Sequence, residues 1–192
     1  MVAHSSFASP PLDLAAGQSA EPSEAHIRRT LARFTTGVTV VTTGGHEPQA
    51  MTVNSFTSVS LTPPLVLICV NRRARLHGAV LRTKAFAVSV LGAQQRDVAR
   101  HFADSQRPSG SAQFTAGDWA VSTGMRLPVL NGAIAWLECT LEETYPGGDH
   151  TIMIGRITGG SFGSDHDALI FHSGGFHQLQ GASASTRSTE AP

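Results

Sequence analysis

A run of small hydroxyl and amide side chains between Met51 and Val70 offers the clearest chemistry in this chain. Six of the nine residues from 52 to 60 carry such a group, and they are Thr52, Asn54, Ser55, Thr57, Ser58 and Ser60. These groups donate and accept hydrogen bonds, so a dense set of them suits a surface that binds a polar ligand. The same composition is also typical of a half-exposed strand followed by a Ser/Thr-rich loop.

Histidines form a second group of candidates, and four of the nine crowd the last third of the chain: His150, His166, His172 and His177. A metal site needs ligands at reproducible spacing on rigid elements. Here the gaps differ and no cysteine joins them, so we expect no metal site, and we interpret His166 and His172 as loop or rim residues. His150 differs because it directly follows a Pro-Gly-Gly-Asp turn at the start of a predicted strand, where a side chain can face a ligand.

Several common chemistries lack their motif in this sequence. There is no glycine-rich dinucleotide fingerprint, no phosphate-binding P-loop and no Gly-x-Ser-x-Gly elbow of a hydrolase. Glu142 and Glu143 are adjacent on a predicted strand and therefore face opposite sides, which disfavours a paired acid/base site.

The amino-acid composition argues against some classes of partner. Fourteen basic and fourteen acidic residues give a formal charge of zero, which argues against a nucleic-acid partner. No apolar run approaches the roughly 20 residues that a membrane helix needs, and the N-terminus lacks the pattern of a signal peptide. Cys69 and Cys139 each lie in an apolar run and are expected to be buried thiols. We therefore expect a cytoplasmic protein.

Hydrophobic periodicity predicts the elements that must position these residues. Predicted helices cover residues 23–34, capped by Ser23, then 75–82 and 94–102. Predicted strands cover residues 38–43, from 50 into the polar run, 65–70 (buried on both faces), 85–91, 133–145, 151–157 (broken at Gly155) and two very short segments within 168–179. Hairpin-length turns and β-branched runs favour a mainly β fold, an antiparallel barrel with helices at its rim. Residues 1–22 and 181–192 are predicted to be disordered tails around one domain, 23–180.

Four segments together resemble one protein family, the short-chain flavin reductases. They are FTTGVTVVTT, MTVNSFTSVSLTPPLVLICV, FAVSVLGAQQRDVARHFA, and GDHTIMIGRI with the later GGFHQL. This resemblance implies an antiparallel split β-barrel of the FMN-binding type. It also implies hydride transfer from NADH or NADPH to FMN or FAD, with the reduced flavin supplied to a separate monooxygenase. A homodimer is implied too, since two subunits commonly complete each flavin site in this family.

The family pattern assigns roles to individual residues. It places Thr52, Val53, Asn54 and Ser55 along the flavin ring and ribityl chain, with Thr57, Ser58 and Ser60 near the ribityl and phosphate. It places Asn71, Arg72, Arg75 and His77 around the phosphate or an adenylate, although the arginines could equally be solvated charges. His150 is the candidate for the nicotinamide or the flavin edge, and Phe176 for packing over a bound ring unless it is plain core.

Two positions depart from the family pattern. Ser89, which the family pattern also places among the cofactor-binding residues, stands where relatives often carry asparagine, and Ala74 stands where relatives often carry a hydroxyl residue. These departures leave the phosphate contacts, and the choice between FMN and FAD, open. No catalytic base is expected, because hydride transfer depends on positioning two rings. A flavin-carrying module without enzyme activity, or a split-barrel FMN-dependent oxidase, remains an alternative function.

Overall fold

Antiparallel strands dominate the computed structural model, which describes residues 21–163 and 167–178 of the chain. The strands within these residues are β1 (Thr36–Gly37), β2 (Thr39–Thr42), β3 (Ala50–Val53), β4 (Thr57–Leu61), β5 (Pro64–Asn71), β6 (Ala85–Val90), β7 (Trp119–Val121), β8 (Pro128–Leu130), β9 (Ala135–Gly147), β10 (His150–Phe162), β11 (Leu169–His172) and β12 (Gly175–Gln178). The α-helices are α1 (Glu24–Leu31), α2 (Arg75–Thr83) and α3 (Arg96–Ala103). No helix among the described residues is long and apolar enough to cross a membrane.

The main sheet has seven strands in the order β3-β2-β6-β9-β10-β5-β4, and all of its pairings are antiparallel. The β9–β10 hairpin is its longest unit, and β10 pairs with β5 from His150 opposite Asn71 to Arg156 opposite Leu65. A small sheet of β1, β11 and β12 lies beside it, and β7 pairs with β8. The predicted mainly β, antiparallel split-barrel class is confirmed.

The barrel interior is filled by one face of each strand. Val41, Ile68, Phe86 and Met153 are each 0% exposed and belong to one cluster. The prediction that residues 65–70 are buried on both faces was wrong, because β5 alternates between buried and partly exposed positions. An antiparallel strand with one face towards the core shows this period of two. Cys69 falls on the outer face and is therefore only partly buried, contrary to expectation.

Cys139 is fully buried, as expected, and burial raises the pKa of its thiol to about 12.

Strand β10 continues through Gly155, so the predicted break at that residue was wrong. The register against β9 shifts between Ile154 and Gly155, which lets the strand continue past the irregularity. A Cβ atom at position 155 would lie 2.4 Å from Cζ of Phe86. The glycine therefore allows the Phe86 ring to pack closely against the strand. A sequence pattern cannot distinguish such a glycine from one that ends a strand.

Helix α1 begins after Ser23, whose hydroxyl accepts a hydrogen bond from the backbone N–H of His26 at 3.3 Å. This confirms the predicted cap, but the helix ends at Leu31 rather than at Phe34. Its apolar side chains Ile27 and Leu31 are exposed, at 41% and 68%, as is Phe34 beyond its end, at 77%. The segments predicted as disordered tails fall, apart from residues 21 and 22, outside the described residues, as does His166.

Candidate functional site

A narrow apolar slot of about 210 Å³ opens between β3, the end of α3 and the β11–β12 hairpin. Its lining residues are Val38, Thr52, Asn54, Ala103, Phe171 and Phe176. Phe171 and Phe176 pack edge to face with their ring centroids 5.6 Å apart. The hydroxyl of Thr52 donates to the backbone oxygen of Ala99 at 2.6 Å, which fastens β3 to α3. The slot therefore combines an aromatic wall with the polar side chain of Asn54, an arrangement that suits a flat heteroaromatic ring.

A basic compartment of about 440 Å³ adjoins this slot and shares Ala103 with it. It is lined by Met51, Arg73, Ala74, Arg75, Ala103, Ser105 and Arg107. Across the described residues, none of its three arginines lies within 4.0 Å of a carboxylate oxygen. Guanidinium groups bind phosphate oxygens through paired hydrogen bonds, so this compartment suits a phosphate or diphosphate.

The N-terminus of α2 borders the same compartment. Ala74 is the residue that caps this helix, and its side chain makes no capping hydrogen bond. A helix N-terminus carries partial positive charge and unpaired backbone N–H groups, both of which favour an anion. The alanine noted as a departure from the family pattern thus leaves these donors without a hydroxyl partner from the cap.

A polar cluster at the turn between β9 and β10 centres on Asp149. One carboxylate oxygen of Asp149 accepts a hydrogen bond from the Asn71 amide at 3.2 Å, and its backbone oxygen accepts one from the Arg72 N–H at 3.0 Å. The other carboxylate oxygen lies 2.7 Å from Nδ1 of His150. This hydrogen bond from His150 is the main reason that the pKa of Asp149 lies below its usual value.

The ionised carboxylate of Asp149 fixes the tautomer of His150. A carboxylate can only accept, so Nδ1 of His150 carries the proton and Nε2 remains free as an acceptor in the neutral ring. His77 belongs to the same end of the barrel, since its Nε2 lies 2.9 Å from the hydroxyl of Thr151. His150, which was predicted separately from the loop group of Asn71, Arg72 and His77, is therefore brought beside that group by the pairing of β5 with β10.

Other predicted residues make their contacts within the barrel wall. Val53 is 4% exposed and belongs to the core. The hydroxyl of Ser55 donates to the backbone oxygen of Cys69 and accepts from its N–H, both at 3.0 Å. Ser89 is 1% exposed, and its hydroxyl accepts from the N–H of Leu130 at 3.1 Å.

The edge strand β4 carries the three remaining predicted residues. Thr57 and Ser58 are exposed on this strand, outside the residues that line the slot and the basic compartment. The hydroxyl of Ser60 accepts from the N–H of Thr62 at 3.1 Å, which stabilises the turn into β5.

Sequence reasoning missed several residues that line the slot or the compartment: Val38, Met51, Arg73, Ala103, Ser105, Phe171 and Arg107. Arg73 could have been predicted, because it lies in the loop that the family pattern assigns to the phosphate. Arg107 had no local signal, since it lies in a polar segment without hydrophobic periodicity. In the structure the Phe114 ring anchors this segment by packing against Phe102 and Trp119.

The chain matches a family model described as "Flavin reductase like domain" over residues 31–180. It is 48% identical over 153 residues to an NADH-dependent FAD reductase of Streptomyces globisporus, a match that covers 80% of this chain and 84% of that protein. It is 39% identical over 166 residues to the NADH-dependent FMN reductase AsuE2 of Streptomyces nodosus subsp. asukaensis, covering 83% and 87%.

A solved structure shares the fold. BorF, the flavin reductase component of a bacterial two-component tryptophan halogenase, superimposes with a TM-score of 0.79 at 46% identity. The match covers 82% of this chain and 98% of BorF. The family match over residues 31–180 includes every residue that lines the slot and the basic compartment.

Proposed function

Since the chain belongs to the flavin reductase-like domain family, we propose that it transfers hydride from NADH to a flavin and supplies the reduced flavin to a separate monooxygenase. The observation that carries this proposal is the 48% identity to an NADH-dependent FAD reductase over 80% of the chain. The slot and the adjoining basic compartment support it, because they provide the two environments that a flavin requires: an apolar site for the ring and donors for the phosphate.

The flavin ring is assigned to the slot, where Phe176 and Asn54 meet β3. The phosphate end is assigned to Arg73, Arg75 and the N-terminus of α2. The flavin supplies a ring that accepts the hydride. The chain holds that ring against the aromatic wall, which brings the reacting atoms together without an acid or base.

His150 is proposed to contact the nicotinamide or the edge of the flavin. Its side chain is 42% exposed, and Asp149 orients it through the 2.7 Å hydrogen bond. Its free Nε2 can accept a hydrogen bond from an amide N–H, and the carboxamide of nicotinamide offers one. His150 therefore acts in positioning and binding in this proposal, not in proton transfer.

A homodimer is proposed on the exposed apolar side chains at two places, the end of α1 with the residues that follow it, and β4. Leu31 is 68% exposed, Phe34 77% and Leu61 90%. Large exposed apolar side chains gathered on one surface are typical of protein–protein interaction sites. A cytoplasmic location is proposed on the two unpaired cysteines. The single domain 23–180 is proposed on the extent of the family match.

The direct test mixes the purified protein with NADH or NADPH and with FMN, FAD or riboflavin, and follows the absorbance of the reduced nicotinamide. We expect oxidation of NADH that depends on the added flavin, and the ratio of the FMN and FAD rates gives the flavin preference. Absence of turnover with every pair would refute the proposal. Flavin binding without NADH oxidation would indicate a carrier module, and oxygen consumption without nicotinamide would indicate an oxidase.

A further inference from the structure

Arg107 is a buried cation at the base of the basic compartment. It is 9% exposed, yet its guanidinium donates in three directions. Nε donates to the side-chain oxygen of Gln113, Nη1 to the backbone oxygen of Asp104 at 2.6 Å, and Nη2 to the backbone oxygen of Ala50. This one side chain thus ties β3, the end of α3 and the loop from 104 to 113 together, a geometry that the planar fork of arginine permits and lysine does not.

The three acceptors of Arg107 are neutral groups. Asp104 and Arg75 are the charged residues that affect it, and Arg75 carries the same sign. Burial together with the charge of Arg75 lowers the pKa of Arg107 from its ordinary value. The guanidinium also lies 5.8 Å from the centre of the Phe102 ring, which offers a weak attraction. A charge buried without an ion pair is costly, so the surrounding contacts must hold it in one place.

The backbone oxygen of Arg107 is hydrogen-bonded to Arg75, which was predicted to contact the phosphate. It accepts a hydrogen bond from Nη2 of Arg75 at 2.8 Å. Arg75 is otherwise exposed at the first turn of α2, where an arginine side chain has many conformations. Because the guanidinium of Arg107 fixes the loop, it also fixes the oxygen that holds Arg75 beside the compartment.

We propose that Arg107 is a positioning residue that orders Arg75 for the anionic group of the flavin. It thereby favours phosphorylated flavins over riboflavin. This inference rests on the proposed function, because it assumes that the compartment receives the phosphate of a flavin. It assigns Arg107 no contact with the ring and no part in hydride transfer.

The test uses a mutational cycle of R107Q, R75Q and the double variant, with R82Q as the control. Arg82 is exposed and lies outside the slot and the compartment. The dissociation constants of FMN and riboflavin are measured by flavin fluorescence, together with KM and kcat for FMN. We expect R107Q and R75Q each to raise the dissociation constant of FMN by about tenfold, the scale of one charge-assisted hydrogen bond. Riboflavin should change by less than about twofold, and kcat at saturating FMN should be retained.

Three results decide the inference. In the double variant FMN should bind no more weakly than in R75Q, since Arg107 acts through Arg75. R107K should fail to restore FMN binding, because an ammonium group cannot bridge the three acceptors. The inference would be overturned by additive losses of FMN affinity in the double variant, by restored FMN binding in R107K, or by equal losses of affinity for FMN and for riboflavin.

R75Q keeps the inference testable if R107Q does not fold, because Arg75 is exposed. An unchanged preference for FMN over riboflavin in R75Q would then overturn it. Failure of the wild-type chain to bind any flavin would instead refute the proposed function.

Discussion

Replacing Gly155 with alanine places a methyl group against the centre of the barrel wall. The added carbon would lie 2.4 Å from Cζ and 2.9 Å from Cε1 of Phe86, and 3.0 Å from Cβ of Cys139. Carbon atoms without a bond between them prefer about 3.5–4.0 Å, so the ring or the strand must move by roughly 1 Å. Phe86 is fully buried among core side chains and has no solvent space to enter.

We expect G155A to destabilise the fold by about 1–3 kcal/mol, the usual cost of adding a methyl group to a packed core. Urea unfolding followed by fluorescence measures this change, and thermal unfolding should show a fall of about 2–4 °C for each 1 kcal/mol. The matched control is G37A, because a Cβ at Gly37 meets no atom within 4 Å. This control should leave stability unchanged or slightly improve it.

A second-site variant identifies the cause of the loss. Phe86→Leu removes the ring atoms that the new methyl group would meet, so the combination with G155A should lose less stability than the sum of the two single changes. We expect the difference to lie within about 0.5–3 kcal/mol. Wild-type stability of G155A, or strict additivity in the double variant, would refute the packing explanation of this glycine.

Three further changes test the site and the thiols. D149N should raise the KM for NADH more than it lowers kcat, because it weakens the hydrogen bond that orients His150. In the wild-type chain the KM should rise in the same way as the pH falls through the lowered pKa of Asp149, since the ionised carboxylate that accepts this hydrogen bond exists only above that pKa. A pH-independent KM for NADH in the acid range would contradict this. F176A should weaken flavin binding by about threefold to tenfold, the scale of one aromatic contact, with unfolding temperature as the check on folding. Iodoacetamide at pH 8 should label Cys69 well before Cys139, whose pKa is raised to about 12, as mass spectrometry would show; equal rates would contradict the burial of Cys139.

Local features of the fold were predictable from the sequence. Ser23 caps α1, the turn signal at residues 44–48 lies between β2 and β3, and Ser173 and Gly174 separate β11 from β12. Each depends on neighbouring residues whose conformational preferences act within one turn. The three α-helices also lie within three residues of their predicted bounds.

Features that depend on distant contacts were not predictable in the same way. Gly155 looked like a strand break, because the Phe86 ring that requires it comes from a different strand. Arg107 contacts Ala50 across 57 positions of sequence, and no periodicity signals such a bond. In the site, Thr52, Asn54, Arg75 and Phe176 were selected from the family pattern and do line the slot or the compartment. The pattern could not tell them from Ser55 and Ser89, whose hydroxyls are occupied by backbone groups.

Asp149 links two parts of the protein that the sequence keeps apart. Its contacts join the loop that leads into α2 to the turn that presents His150, so neither segment can shift without straining the other. A ligand that favours one arrangement of the loop therefore also favours one arrangement of the turn. The carboxylate and the backbone oxygen of Asp149 thus couple the two segments, and thermodynamic reciprocity gives a ligand of the loop and a ligand of the turn the same factor of effect on each other's affinity.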